Sequence, residues 1–200
     1  MILETGQWST KSGPPAAFPA QLDSPSTLVI AFGSSGLIDN DAPLRALAAR
    51  FPNSKLVGCS TSGEIFGTTV SDDTLSVAVL RFEGTEVRTA CAPVSDPSQS
   101  HAAGVTLAHS LQGSGLKGAL VFSDGLGVNG SELVRGLNSV LPEDVVVTGG
   151  LAGDGDRFQR TWVLKDGRPE RGFITAVGFY GDRIQVGHGV KLVGTNRVFH

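Results

Sequence analysis

Ser26-Thr27-Leu28-Val29-Ile30-Ala31-Phe32-Gly33 is a nearly unbroken apolar run closing on glycine, and Leu116-Lys117-Gly118-Ala119-Leu120-Val121-Phe122-Ser123 repeats it. A run of this kind reads as a strand buried on both faces, here over Thr27 to Phe32 and, in the second copy, over Ala119 to Ser123. The likeness extends further: Ser26 to Glu64 and Leu116 to Asp154 align without a gap at an offset of 90, which brings Phe32 onto Phe122, Leu47 onto Leu137, Pro52 onto Pro142, Gly63 onto Gly153 and Glu64 onto Asp154. One fold unit is used twice.

Outward from each run the same order of elements follows. Asp41-Ala42-Pro43 opens a helix with Asp41 as N-cap, Leu44, Leu47 and Ala48 supply one apolar face, and Pro52 stops it. Lys55 to Cys59 is the next strand. In the second copy the helix runs from Ser131 to Val140 and the strand from Val145 to Thr148. Thr74 to Arg81 and Glu86 to Ala92 flank Phe82-Glu83-Gly84-Thr85, which predicts a hairpin. The second copy offers an Asp166-Gly167 hairpin turn, then strands Phe173 to Tyr180 and Arg183 to Val190. Phe82-Glu83-Gly84 meets Phe179-Tyr180-Gly181 at an offset of 97, so the second loop is longer by 97 minus 90, or 7 residues.

Between the copies, Asp96 or Ser98 caps a helix over about residues 99 to 112 that ends at Gly113-Ser114-Gly115. Pro14, Pro15, Pro19 and Pro25 limit the N-terminal segment to a short helix at most. The expected organisation is a Pro-rich segment 1–25, a first α/β module 26–92, a bridging helix 93–116 and a second module 117–200. The fold class is α/β, a mixed sheet from two tandem strand-helix-strand-hairpin modules related by pseudo-symmetry. Whether their sheets merge or face each other stays open.

Composition narrows the function. The 16 basic and 19 acidic residues are scattered, with a net charge of −3, so no basic face marks the chain for nucleic acid or anionic lipid. The start lacks the basic and apolar regions of an export signal, and no segment approaches the roughly 18 apolar residues of a membrane span. The expectation is a cytoplasmic protein with no nucleic-acid or membrane partner. Only Cys59 and Cys91 are present, read as reduced thiols, with no metal-ligand spacing around them.

Chemistry concentrates in the two loops that break the symmetry. Cys59, Ser60, Thr61, Ser62, Gly63 and Glu64 place a thiol, three hydroxyls, a glycine and a carboxylate together, and Gly149, Gly150 and Asp154 belong to the partner loop. Small side chains leave backbone N–H groups open to a carboxylate or phosphate; the alternative is a polar turn with Cys59 as a small hydrophobe. Glu64 and Asp154 hold an ammonium group, or they cap neighbouring amides. Ser123-Asp124-Gly125 and Gly33-Ser34-Ser35 end the first strand of each module and share one rim, with Asp124 a further candidate. The glycine-rich segment lacks the Gly-Lys-Ser/Thr of a phosphate loop, which argues against a nucleotide. Cys59 would serve a hydrolase or transferase only with a base, and nothing ties His101, His109, His188 or His200 to it. His188, between Gly187 and Gly189, is the axial-ligand candidate should haem bind.

Val57-Gly58-Cys59-Ser60-Thr61-Ser62-Gly63-Glu64, Ser76 to Phe82, and Gly149-Gly150-Leu151-Ala152-Gly153-Asp154 together resemble the N-terminal half of the FIST domain, a bacterial and archaeal sensory input domain. The Leu28 to Phe32 strand and the Phe122-Ser123-Asp124-Gly125 turn fit the same pattern. The resemblance implies a non-catalytic domain that binds a small ligand, an amino acid or similar metabolite, and signals to a kinase, cyclase or chemotaxis receptor module. It also implies an alternative, since some relatives bind haem and sense nitric oxide. No other cofactor is expected. The family continues into a second half, and this sequence stops near where that half begins.

Overall fold

The computed structural model describes residues 1–12, 14–15 and 18–187. Among the described residues, twelve strands and three α-helices form four layers. The first large sheet draws on β1 (Ile2–Ser9), β2 (Thr27–Ser34), β3 (Lys55–Thr61) and β6 (Thr74–Arg81); a small hairpin, β4 (Glu64–Phe66) with β5 (Thr69–Ser71), interrupts them. The second is built from β7 (Glu86–Pro93), β8 (Leu116–Ser123), β9 (Val146–Leu151) and β12 (Phe173–Tyr180). A short pair, β10 (Val163–Lys165) and β11 (Arg168–Glu170), extends the first sheet. The strand orders are β1-β6-β2-β3-β10-β11 and β7-β12-β8-β9.

Each large sheet therefore carries the same core: an outer strand antiparallel to the next, that one antiparallel to the third, and the third parallel to the fourth. This correspondence is compatible with the doubling read from the sequence. The two sheets face each other. Leu28, Val57 and Cys59 of the first meet Phe122, Val177 and Ala152 of the second in a shared core. Alternation along β2 sends Val29 and Ala31 the other way, under α1 (Ala42–Arg50), whose Leu44 and Leu47 are wholly buried. Over the second sheet lie α2 (Ser100–Leu111) and α3 (Gly130–Asn138), packed through Leu107, Leu111, Leu133 and Leu137.

Local signals set most element ends. Asn129 caps α3, accepting from Glu132 N at 3.2 Å, and Asp96 caps the short turn that leads into α2, accepting from Ser98 N at 2.8 Å. Asp41 instead accepts from the Arg45 side chain at 3.0 Å and makes no cap bond. Asp166 and Gly167 both take positive φ, as a tight two-residue hairpin turn requires.

Four expectations are corrected. Thr74–Arg81 and Glu86–Pro93 do not form a hairpin: β2 and β1 already occupy both sides of β6, so β7 crosses to the other sheet and pairs with β12. Phe82 anchors the crossing against Phe179, with 5.9 Å between ring centroids. The N-terminal segment contributes strand β1 as well as a short helical turn at Ala20–Leu22, because its prolines begin only at Pro14. Arg183 to Gly187 form no strand, and 188–190 lie outside the described residues. The gapless alignment also fails by one residue: Phe32 stands opposite Cys59 but Phe122 opposite Gly150, so the fourth strand is offset by 91, with the extra residue between Pro142 and Val146. Among the described residues no helix is long and apolar enough to cross a membrane.

Candidate functional site

The site lies where β3 and β9 leave their sheets. Both strands run further than their sequences imply, so Ser60, Thr61, Gly149 and Gly150 sit in strands and not in loops. Gly58 and Gly149 hold the same place in the two ladders, opposite Ala31 and Val121, with φ of 150° and 144°. A Cβ there would stand 1.8 Å and 1.9 Å from the Ala31 and Val121 carbonyl oxygens, so only glycine lets the parallel strands approach this closely.

The loops beyond interlock. Gly153 N donates to Ser60 O at 2.9 Å and Gly155 N to Ser62 Oγ at 3.0 Å, one bond between backbones and one to a side-chain hydroxyl. Ser60 is fully buried; its N–H donates to Trp162 O at 3.0 Å and its hydroxyl accepts from Trp162 N at 3.1 Å. Gly63 lies at the bend into β4, beside Val70. The paired turns thus meet, as the repeat implied.

The carboxylates face inward to their own loops. Glu64, buried, accepts from Thr61 Oγ1 at 2.7 Å, Thr74 N at 3.1 Å and Thr74 Oγ1 at 2.9 Å. Asp154 accepts from Arg157 Nε at 2.9 Å, Gln159 N at 3.1 Å and Arg160 N at 2.9 Å. Burial opposes its ionisation, but the hydrogen bonds from Ser35, the Arg160 amide, Arg157 and the Gln159 amide outweigh it and hold the carboxyl well below the usual range. These bonds support the capping reading of both residues. Asp124 is likewise engaged, accepting from Leu126 N at 2.8 Å and from Gly127 N and Gly172 N at 3.0 Å. It stands outside the shared hollow.

That hollow, about 350 Å³, opens between the two sheet ends. Phe32 and Phe122 contribute aromatic surface, Cys59, Thr61, Gly150 and Leu151 come from β3 and β9, and Ser62 and Gly153 from the loops beyond them. The register shift makes it asymmetric, since Cys59 carries a side chain on its strand while the equivalent Gly150 has none. A Cβ at Gly150 would meet nothing within 4 Å. None of the lining side chains is charged. A wider depression of about 1040 Å³ at the opposite end is flanked by Arg88 and Lys117, which already pair with Glu86 and Asp182.

Cys59 is buried, and burial pushes its thiol up to about 12. A thiol raised in this way disfavours the thiolate that a covalent mechanism would use. His101 and His109 are exposed on α2, on the far side of the second sheet. His188 lies outside the described residues.

Sequence reasoning missed four contributors. Phe32 and Phe122 were flagged by the repeat but not as lining residues. Trp162, fully buried, donates from Nε1 to Ser34 O at 3.1 Å, and Arg157 bridges Asp154 and Ser35. The lengthened loop between Asp154 and Phe173, which holds both, was the available signal.

Two facing sheets with helices outside and a recess of about 350 Å³ at their shared end are the frame in which the predicted loops converge. The FIST N domain matches the chain over residues 27–195, and the chain belongs to that family. In broad terms this makes it a sensory domain of signal transduction. No curated protein matches it.

Proposed function

We propose that this domain is a non-catalytic sensor that takes a small ligand, an amino acid or similar metabolite, into the recess between the β3 and β9 ends and passes the event to a kinase, cyclase or chemotaxis receptor module. One observation carries the reading: both repeats deliver their loops to one hollow, and the half that lacks a side chain at Gly150 leaves it open. Its chemistry favours a ligand with an apolar body against Phe32 and Phe122 and a small polar end at the Thr61 and Ser62 side. With Glu64 and Asp154 committed to their own loops, a ligand's ammonium would be held by carbonyls and hydroxyls rather than by an ion pair.

A thermal-shift panel tests this with free amino acids of apolar, polar and charged side chain. A binder at 100 times its Kd adds about 2.7 kcal/mol of stability. Gly150→Leu fills the hollow without backbone strain, because Gly150 φ lies outside the left-handed region. The expected result is a shift for apolar members that this variant abolishes while its own melting temperature stays near the parent's. No shift across the panel, or one indifferent to Gly150→Leu, rejects the assignment.

A further inference from the structure

β3 and β10 are neighbours in the first sheet, yet among the described residues they pair only at Cys59 opposite Val163. β3 begins earlier, at Lys55, and β10 runs on to Lys165. The sheet is therefore split beyond that pair, and the split opens on a cavity of about 370 Å³ at the flank of the two sheets. Phe51, Leu56 and Leu164 form its wall on the α1 side. Val186, near the end of the described residues, packs at Gly118 of β8, whereas the cavity opens at β7, beyond β12.

Strand alternation fixes what the other wall presents. Val57 and Cys59 face the second sheet, so Lys55 does too; Val163 faces it, so Lys165 follows, and its Nζ lies 4.4 Å from the centre of the Phe173 ring. On β7, Val87 faces the first sheet, which turns Thr89 the same way. Two lysines and a threonine thus reach one cavity from three strands.

Their lack of partners sets them apart. Arg45, Arg88, Lys117, Arg135, Arg157 and Arg160 each pair with a carboxylate, whereas Lys55 and Lys165, both half-buried, pair with none among the described residues. Asp166 also lines the cavity and is ion-paired with neither. The Thr89 hydroxyl has no hydrogen-bond partner among the described residues, while that of Thr175 is taken by Leu164 O at 2.8 Å. Two like charges drawn into one half-buried cavity are unfavourable without a counter-charge.

We propose that this cavity is a second binding site, for a small phosphate monoester, with Lys55, Lys165 and the Thr89 hydroxyl on the phosphate oxygens and the apolar body of the ester against Phe51, Leu56 and Leu164. A lysine binds phosphate as a point charge, whereas a planar carboxylate favours the arginine fork, and no arginine lines the cavity. A phosphate monoester brings about −1.5 to −2 charges and three strong acceptor oxygens, which two lysines and one hydroxyl match. The site is separate from the recess, which lies at the other end of β3.

Calorimetric titration of the full chain at neutral pH with phenyl phosphate, inorganic phosphate and succinate tests it. Phenyl phosphate should bind, inorganic phosphate more weakly for want of an apolar body, and succinate not at all. Lys55→Gln and Lys165→Gln should each weaken phenyl phosphate about 10-fold, as loss of a hydrogen bond to a charged group does, and the double change should abolish binding while the circular dichroism spectrum stays unchanged. Thr89→Val, at an exposed position on an edge strand, should weaken it by a smaller factor, and Gly150→Leu, which fills the recess, should leave it intact. No binding of either phosphate, binding indifferent to the double lysine change, or binding lost in Gly150→Leu overturns the proposal. Succinate held as tightly as phenyl phosphate overturns the choice of phosphate.

Discussion

Phe32 and Phe122 meet edge to face across the two sheets, 5.5 Å between ring centroids at an interplanar angle of 83°. They match each other in the repeat read from the sequence, and their contact is compatible with that doubling. Phe82 and Phe179, matched at the second offset, touch as well. The pair supports both the inter-sheet core and the recess wall.

Phe122, 5% exposed, is the more buried member. Phe122→Ala should destabilise the chain by about 3–5 kcal/mol, through lost transfer energy and the cavity left behind. Phe122→Leu should lose clearly less. Urea unfolding measures both, and equal losses would show that ring volume is not what the site needs.

Adjacent glycines on β9 should behave oppositely. Gly149→Ala sets a Cβ 1.9 Å from Val121 O at positive φ and should lose several kcal/mol or fail to fold. Gly150→Ala adds its methyl to open space and should stay within about 0.5 kcal/mol of the parent. Similar losses at the two positions would contradict the strand register.

Acid should destabilise the chain through Asp154 and Asp124, whose carboxyls are held below their ordinary value despite burial. For a carboxyl depressed in the folded state, its contribution is complete above the unfolded pKa, about 3.9, and is lost as pH falls towards the folded value. Stability should therefore drop below about pH 4. Asp154→Asn should be less stable at neutral pH by about 1–3 kcal/mol and show a shallower acid limb. An unaltered limb would remove Asp154 from the account.

The two thiols should separate kinetically. Cys91 is exposed and Cys59 buried with its thiol pushed up to about 12, so one thiol should react quickly with a disulfide reagent at pH 8 and the second only on unfolding. Two fast thiols in the native protein would restore Cys59 as a reactive group.

Much of the fold was legible because burial imposes local patterns. Thr27 to Phe32 and Ala119 to Ser123 read as strands, Leu44 and Leu47 as a helix face, and Asp166-Gly167 as a turn, since each signal lies within a few residues. The site was legible in composition but not in role. Cys59 to Glu64 and Gly149 to Asp154 do converge, yet Glu64, Ser60 and Asp154 turn into their own framework. Which way a carboxylate points depends on amides ten residues away, as Thr74 N does for Glu64.

From its sequence alone this chain had a doubled α/β unit, the strands and helices within it, and the two loops where the copies differ. Tertiary structure decided that β7 leaves β6 for β12, that the sheets face each other, and that one residue between Pro142 and Val146 sets Gly150 opposite Phe122 and opens the recess. The reason is physical. Side-chain periodicity marks a strand wherever it lies, whereas the backbone hydrogen bonds that choose its neighbour and register are the same for every residue and are settled only when distant segments compete for one edge.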